Sequence, residues 1–483
     1  MNIIAKYKNM NVQVRAALWY TFCNFLQNGM AFILVPFYMY FLNSEEYGKW
    51  VTFQAWKDLL IVFASLNLYC GVYTKKLVDI KDDRDRYTSS MQGLGTTVTV
   101  IFFLLYLVFR RPIENYLEYN TLSIVMMFGY FIAFPSFQFW TTRQRVEYKY
   151  IRMVVVTIIA SILTPVCTLG LLKYTDLKSY AIIYGYLFTQ IVIGAFFYIL
   201  HFVRSRTFYH KEYWNYALHF NIPLIPHYVS LIILGQSDRL MIKRFCSYSD
   251  AGVYGFGYQI ASVMSVLISA INGSRVPWTY ERLRDKIYDG LKNVTIYLCI
   301  MMGAIVLAVS LLSPEVVRIL TITKAKFIVY HMAIYVIPIV ALGLYFTFVY
   351  DLFCSIEFYY GKTKYIMVAS CIGAVLNIGL NAIFIPMYGP VAAACTTLAC
   401  YIVFMFMHYF FMRKICREEG IEGQVYNDRM IFLISALLSV MVLACIVTYQ
   451  NNIIRFSILG ALACAVFLGR NKLISAVKTM KGK

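Results

Sequence analysis

Residues 363–412 read TKYIMVASCIGAVLNIGLNAIFIPMYGPVAAACTTLACYIVFMFMHYFFM. Two apolar runs, 363–387 and 389–412, meet at the break Ile385-Pro386-Met387-Tyr388-Gly389, and a small-residue run follows at 391–397. A helix needs about 20 residues to cross a bilayer's hydrocarbon, so each run is long enough to span. Proline and glycine at the junction mark a turn rather than a continuous rod.

The same pattern extends in both directions. Further spans are expected near 17–42, 50–73, 88–109, 117–140, 151–172, 179–203, 216–237, 251–274, 291–312, 327–356, 430–449 and 453–469, about fourteen transmembrane helices in all. The chain is 60% hydrophobic with a mean hydropathy of +0.64, far above the roughly 45–50% of a water-soluble globule. Hydrophilic segments between spans stay short and leave no room for a soluble catalytic domain. The fold class expected is therefore all-α and polytopic, with chemistry confined to the bilayer and no enzyme activity.

The formal net charge of +20 has a distribution that decides its meaning. With the N-terminus inside, the basic clusters Lys75 to Arg86, Arg143 to Arg152, Arg204 to Lys211, Arg275 to Lys292, Arg413 to Arg429 and the tail after Arg470 all lie on the inner side. They outnumber the outer basic residues by more than two to one. Such asymmetry orients membrane proteins and attracts anionic lipid heads, so nucleic acid is not an expected partner. An even span count places both termini in the cytoplasm. Lys6, Lys8 and Arg15 precede a first apolar run too long for a cleavable signal's core, so that run is read as a span. The twelve cysteines are scattered, without CxxC spacing or a Cys/His cluster, and no metal site is expected.

An internal repeat divides the chain. FLNSEEYGKW (Phe41 to Trp50) aligns with FCSYSDAGVY (Phe245 to Tyr254), pairing Phe41 with Phe245, Glu46 with Asp250, Gly48 with Gly252 and Trp50 with Tyr254. A second echo pairs Lys149-Tyr150-Ile151 with Lys364-Tyr365-Ile366. A six-span repeat keeps its membrane orientation, as in transporters whose halves are related along the membrane normal. The expected organisation is a six-helix bundle at 1–203, a linker at 204–215 and a second six-helix bundle at 216–412. A loop at 413–429 and two additional helices with a basic tail at 430–483 complete it. A central cleft is expected between the bundles.

Together with the Gly361 to Val403 stretch, the segments FLNSEEYGKW, GQSDRLMIKRF (235–245) and DAGVYGFGYQIASV (250–263) resemble the polysaccharide branch of the multidrug/oligosaccharidyl-lipid/polysaccharide exporter superfamily, the Wzx-type flippases. The resemblance covers essentially the whole chain. It implies a bacterial inner-membrane flippase that turns undecaprenyl-diphosphate-linked repeat units of O-antigen, capsule or exopolysaccharide to the outer leaflet by alternating access. Implied partners are that lipid-linked glycan, membrane lipids, and the polysaccharide polymerase with its chain-length machinery. No cofactor is implied and no nucleotide-binding motif occurs; proton or sodium coupling stays open. Rival readings are a multidrug or cation antiporter on the same fold, a flippase for the lipid-linked peptidoglycan precursor, and a polytopic glycan polymerase, ligase or glycosyltransferase. The last would need a longer outer loop than any here.

Polar residues inside spans are costly and are functional candidates until a structural role explains them. Gln54, Lys57 and Asp58 share a helix face. Lys57, expected about 10 Å from the start of its span, is a substrate-cleft cation, a snorkelling lysine, or the partner of another helix. Asn24, Gln27 and Asn28 form a stripe suited to sugar hydroxyls or to helix–helix contact. Arg275 is placed to meet a diphosphate, although positive-inside placement also accounts for it. Asp238 and Arg239 are read as a salt-bridge gate or a cap. His219 and His227, flanking Pro223 and Pro226, are proton carriers or packing residues on a helix that prolines bend. Asp351 and Glu357 are ion-coupling carboxylates whose spacing of six sets them on different faces.

Overall fold

A computed structural model describes residues 12–80, 82–288, 290–321 and 323–480. Nineteen α-helices follow one another among them, with no strand. They are α1 (Val12–Phe41), α2 (Ser44–Ser65), α3 (Val72–Asp79), α4 (Arg84–Val108), α5 (Arg110–Leu117), α6 (Thr121–Val146), α7 (Tyr150–Tyr174), α8 (Ser179–Ser205) and α9 (Lys211–Asn221). Then come α10 (Ile225–Phe245), α11 (Tyr248–Ala261), α12 (Val263–Arg284), α13 (Leu291–Leu320), α14 (Lys324–Tyr330), α15 (Ala333–Tyr359), α16 (Thr363–Tyr388), α17 (Pro390–Glu418), α18 (Asp428–Val447) and α19 (Asn452–Met480).

Thirteen candidate spans among the described residues are long and apolar enough to cross a membrane, some built of two helices. The remaining sequence-expected span corresponds to α2, whose 22 residues carry Glu45, Glu46, Lys49, Lys57 and Asp58. Its limits differ from the expected 50–73: the helix starts at Ser44 and stops at Ser65, where Leu66 and Asn67 take positive φ. Lys57 is thus about 20 Å along the helix, near its middle rather than one turn or two below its start.

Local chemistry explains the breaks. The opening stretch folds as α16 and α17 joined at Gly389 alone, whose φ of +70° suits a residue without Cβ. Pro390 sits at the first position of α17, where its missing N–H costs nothing. Pro223 interrupts a span with the 3₁₀ turn Ile222–Leu224 between α9 and α10.

The chain packs as two compact units: the described residues up to Leu42 with Lys49–Ile232, and Asn43–Gly48 with Ile233 onward. In the first unit, α8 packs on α6 and α7, and α1 packs on α7. Gly194 lets α8 approach α6 so closely that a Cβ there would sit 2.3 Å from the Ala133 carbonyl oxygen. Tyr73 stacks on Tyr87 and packs against Phe139, closing an aromatic core.

In the second unit, α15 is buried almost along its length and packs against α11, α13 and α17. α18 and α19 lie on α13, where Arg455 pairs with Glu315. Of the other described side chains of α19, most are exposed, among them the apolar Ile453, Phe467 and Leu468, a surface suited to lipid.

The repeated segments meet within this second unit. A Cβ on Gly48 would lie 1.8 Å from the Tyr248 carbonyl oxygen, and one on Gly252 would lie 2.1 Å from that of Ser44. Gly252 and Tyr248 are the repeat counterparts of Gly48 and Ser44, so the contact is reciprocal. Ser44 Oγ and Ser249 Oγ hydrogen bond at 2.7 Å beside it. Two helix starts cross backbone to backbone with a local two-fold relation, an approach only small residues allow.

Candidate functional site

Lys57 is 4% exposed. Its Nζ lies 2.6 Å from Asp58 Oδ1, 5.0 Å from the centre of the Tyr130 ring and 5.2 Å from that of Tyr186. Tyr130 comes from α6 and Tyr186 from α8, so three helices build the site. A second aromatic layer supports it: Phe134 stacks on Tyr130 at 4.9 Å, Tyr69 meets Phe134 edge-on, and Trp50 meets Tyr186 edge-on. Ring faces attract an ammonium, more strongly where water is excluded. Lys57 is therefore held by an ion pair and two π faces rather than snorkelling. Asp58 is half-buried, so the pair has one dry side and one open side.

Gln54, one turn earlier, is half-buried. Gln27 is exposed, and the side chains of Asn24 and Asn28 lie outside the described residues. His219 is exposed with Nδ1 2.9 Å from the Asn215 carbonyl, and His227 is half-buried beside Tyr228. These two histidines are not brought together with Lys57 by any contact described.

In the second unit Asp238 is buried and accepts hydrogen bonds from Asn381 Nδ2 (2.7 Å), Thr397 Oγ1 (2.8 Å) and Tyr254. Asn377 joins the group, donating to Thr397 Oγ1 and accepting from Ser237 and Asn381. Thr396 donates to Asn381 Oδ1. Among the described contacts Arg239 makes no salt bridge to Asp238, the first of the two readings of this pair. Its Nη1 donates to the Gly235 carbonyl and to Gln236 Oε1, and its guanidinium lies over the Tyr258 ring at 4.3 Å. Adjacent side chains on a helix point apart, and these partners take up the guanidinium. The result is a carboxylate on α10 that accepts hydrogen bonds from neutral donors on α11, α16 and α17.

Arg275 is among the largest fully packed side chains. Nε donates to Asn272 Oδ1, Nη1 to Ser355 Oγ and Nη2 to the Asp351 carbonyl. Asn272 Nδ2 also donates to Asp351 Oδ2 at 2.9 Å. Six residues further along α15, Glu357 turns instead to His408 of α17, Oε1 to Nδ1 at 2.7 Å, both fully buried. Asp351 and Glu357 thus have separate partners, as their spacing implied. His408, Asn381, Asn377, Thr396 and Thr397 are the residues that sequence reasoning left without a role. Asn377 and Asn381 were visible as a polar i, i+4 pair in an apolar run. His408 was visible as an intramembrane titratable group.

The chain's relatives agree with this architecture. Residues 14–281 match the family model of polysaccharide biosynthesis proteins. A Haemophilus influenzae protein of the Lsg locus is 25% identical over 368 residues, covering 72% of this chain and 85% of that protein. A second Haemophilus influenzae membrane protein is 26% identical over 364 residues, covering 72% and 84%. Among solved structures, the lipid II flippase MurJ in its inward closed conformation superposes with a TM-score of 0.62 at 17% identity, covering 95% of this chain and 99% of that one. An inward-facing multidrug resistance MATE transporter of the MOP superfamily gives 0.56 at 12% identity, covering 84% and 98%. Matched over more than half its length, this multi-pass membrane protein belongs to the polysaccharide biosynthesis protein family, with the fold of the MOP superfamily.

Proposed function

We propose that this protein is a flippase that carries undecaprenyl-diphosphate-linked oligosaccharide repeat units of O-antigen, capsule or exopolysaccharide from the inner to the outer leaflet. The observation that carries the reading is Lys57, a buried ammonium with an open-sided counter-ion and two tyrosine faces beside it. A diphosphate is an anion that can replace Asp58 at the ammonium, and sugar rings stack on aromatic faces. Bare charge in hydrocarbon costs many kcal/mol, so a polar path lined this way lowers the barrier while the lipid tail stays in the bilayer. The membrane potential, negative inside, favours outward movement of anions by about 2.3 kcal/mol per charge per 100 mV. The protein sits in the bacterial inner membrane with both termini cytoplasmic, and it works beside the polysaccharide polymerase and chain-length machinery.

Coupling belongs to the Asp238 group in the same proposal. A carboxylate with two amides and two threonine hydroxyls offers the oxygen ligands a hard cation takes, or a place for one proton. Asp238→Asn should abolish the dependence of transport on the coupling ion, read in vesicles under separate sodium and pH gradients. Deletion of the gene should make lipid-linked repeat units accumulate on the cytoplasmic side, and the intact gene should reverse this. Normal surface polysaccharide in the deletion strain, with no accumulation, overturns the reading. Export of cationic drugs by the purified protein would transfer it to the antiporter class.

A further inference from the structure

We propose that Cys354, Glu357 and His408 form a binding site for a divalent transition-metal ion of the zinc class. One ligand atom from each lies within 4.8 Å of the others, and all three residues are buried. Cys354 and Glu357 are three apart on α15 and so share a face, while His408 arrives from α17. Ligand atoms around one zinc ion, at bond lengths of about 2.0–2.3 Å, stand roughly 3.3–3.8 Å apart. Sub-ångström side-chain shifts therefore convert the observed cluster into a coordinating set.

One orphaned atom points to an occupant. Glu357 Oε2 is buried without a partner, and leaving such a group unsatisfied is expensive. His408 Nδ1 faces the other carboxylate oxygen, Glu357 Oε1, at 2.7 Å, so an ion bound by both residues takes the place of the proton they share. The ring is fixed further by Tyr350, stacked at 5.4 Å, and by the Phe404 edge at 4.5 Å.

Charge balance selects the ion. A thiolate and a carboxylate with neutral imidazole carry two negative charges, and a dication brings the site to neutrality, the condition for burying charge at low cost. Sulfur, nitrogen and oxygen together suit zinc rather than calcium or magnesium, which take oxygen. Three protein ligands leave a fourth position open. Metal binding here is independent of the transport reading, because its assay does not involve transport.

Full-length protein from zinc-supplemented cells, purified in detergent, should carry one zinc per chain by mass spectrometry. Stripped and titrated with cobalt, it should develop a thiolate-to-cobalt charge-transfer band in the near ultraviolet. Cys354→Ser, close in size to the native residue, should elute as the same monodisperse species yet lose the band. Glu357→Gln and His408→Gln should lose the zinc. A wild-type protein without zinc and without the band overturns the site and leaves Glu357 and His408 as a proton-sharing pair. So does a band that persists in Cys354→Ser, which would assign it to one of the other cysteines.

Discussion

Lys57 and Asp58 close a 2.6 Å ion pair although they are adjacent on one helix, where neighbouring side chains point apart. The lysine stem curls toward the carboxylate while its ammonium stays between the Tyr130 and Tyr186 rings. The lysine is buried and the aspartate half-buried, so the carboxylate is the more accessible member of the pair.

Substitutions at this pair should separate charge from packing. Lys57→Ala should cut transport by about tenfold or more with little change in membrane abundance, since the residual Asp58 charge can be hydrated. Lys57→Arg should keep much of the activity, allowing for its different shape and hydration, and Lys57→Glu should be worst. Asp58→Asn should tighten binding of a pyrophosphate lipid, measured in nanodiscs. Unchanged binding in Asp58→Asn would show that the carboxylate is not in competition with the ligand.

Arg275 should matter for stability. Its five-donor fork holds Asn272, Ser355 and the Asp351 backbone at once, and truncation strands those groups in the interior. Arg275→Ala should cost about 3–5 kcal/mol, as loss of one member of a buried charged network does, and lower both detergent melting temperature and abundance. Arg275→Lys should recover only part, because an ammonium cannot reproduce the planar fork. A wild-type melting curve for the alanine variant would contradict this.

The contact between helix starts makes a steric prediction. Gly48→Ala and Gly252→Ala each drive a methyl group into a backbone oxygen, and overpacking of this kind costs about 1–3 kcal/mol. Both variants should melt lower than wild type. Gly389→Ala should act differently: it meets no neighbour, and its penalty comes only from positive φ.

Glu114 gives a pH signature outside the spans. Hydrogen bonds from Thr121, Arg110 and Tyr106 hold its carboxyl down at about 2, against an ordinary 4.5. A depressed carboxyl contributes stability that is complete above the ordinary value and is lost as pH falls through the folded one. Melting temperature should therefore decline less steeply between pH 5 and pH 3 in Glu114→Gln than in wild type, while the two respond alike between pH 6 and pH 8.

Much of the fold was legible because a span needs only length and apolarity, local properties that α4, α7, α13 and α16 state plainly. The limits of α2 were not, since its charged first turn reads as a loop until Gly48 is seen packed against Tyr248. Lys57 could be singled out from its place in an apolar run. Its ring partners could not, because Tyr130 and Tyr186 are two of 41 tyrosines and only tertiary packing selects them. Asp238 could be singled out beside Arg239, but its donors could not, because they come from α11, α16 and α17. Glu357 and His408 are 51 positions apart, a separation at which no spacing rule operates.

The reciprocal seat of Gly48 on Tyr248 and of Gly252 on Ser44 has a consequence for ancestry. A patch in which each side presents the same two positions to the other is self-complementary, the property that closes a symmetric dimer. A half-length protein carrying one copy of this turn could make the same contact with an identical neighbour. Tandem duplication followed by fusion would then turn a bond between two molecules into a bond within one. Thereafter each glycine could change only in step with the backbone opposite it.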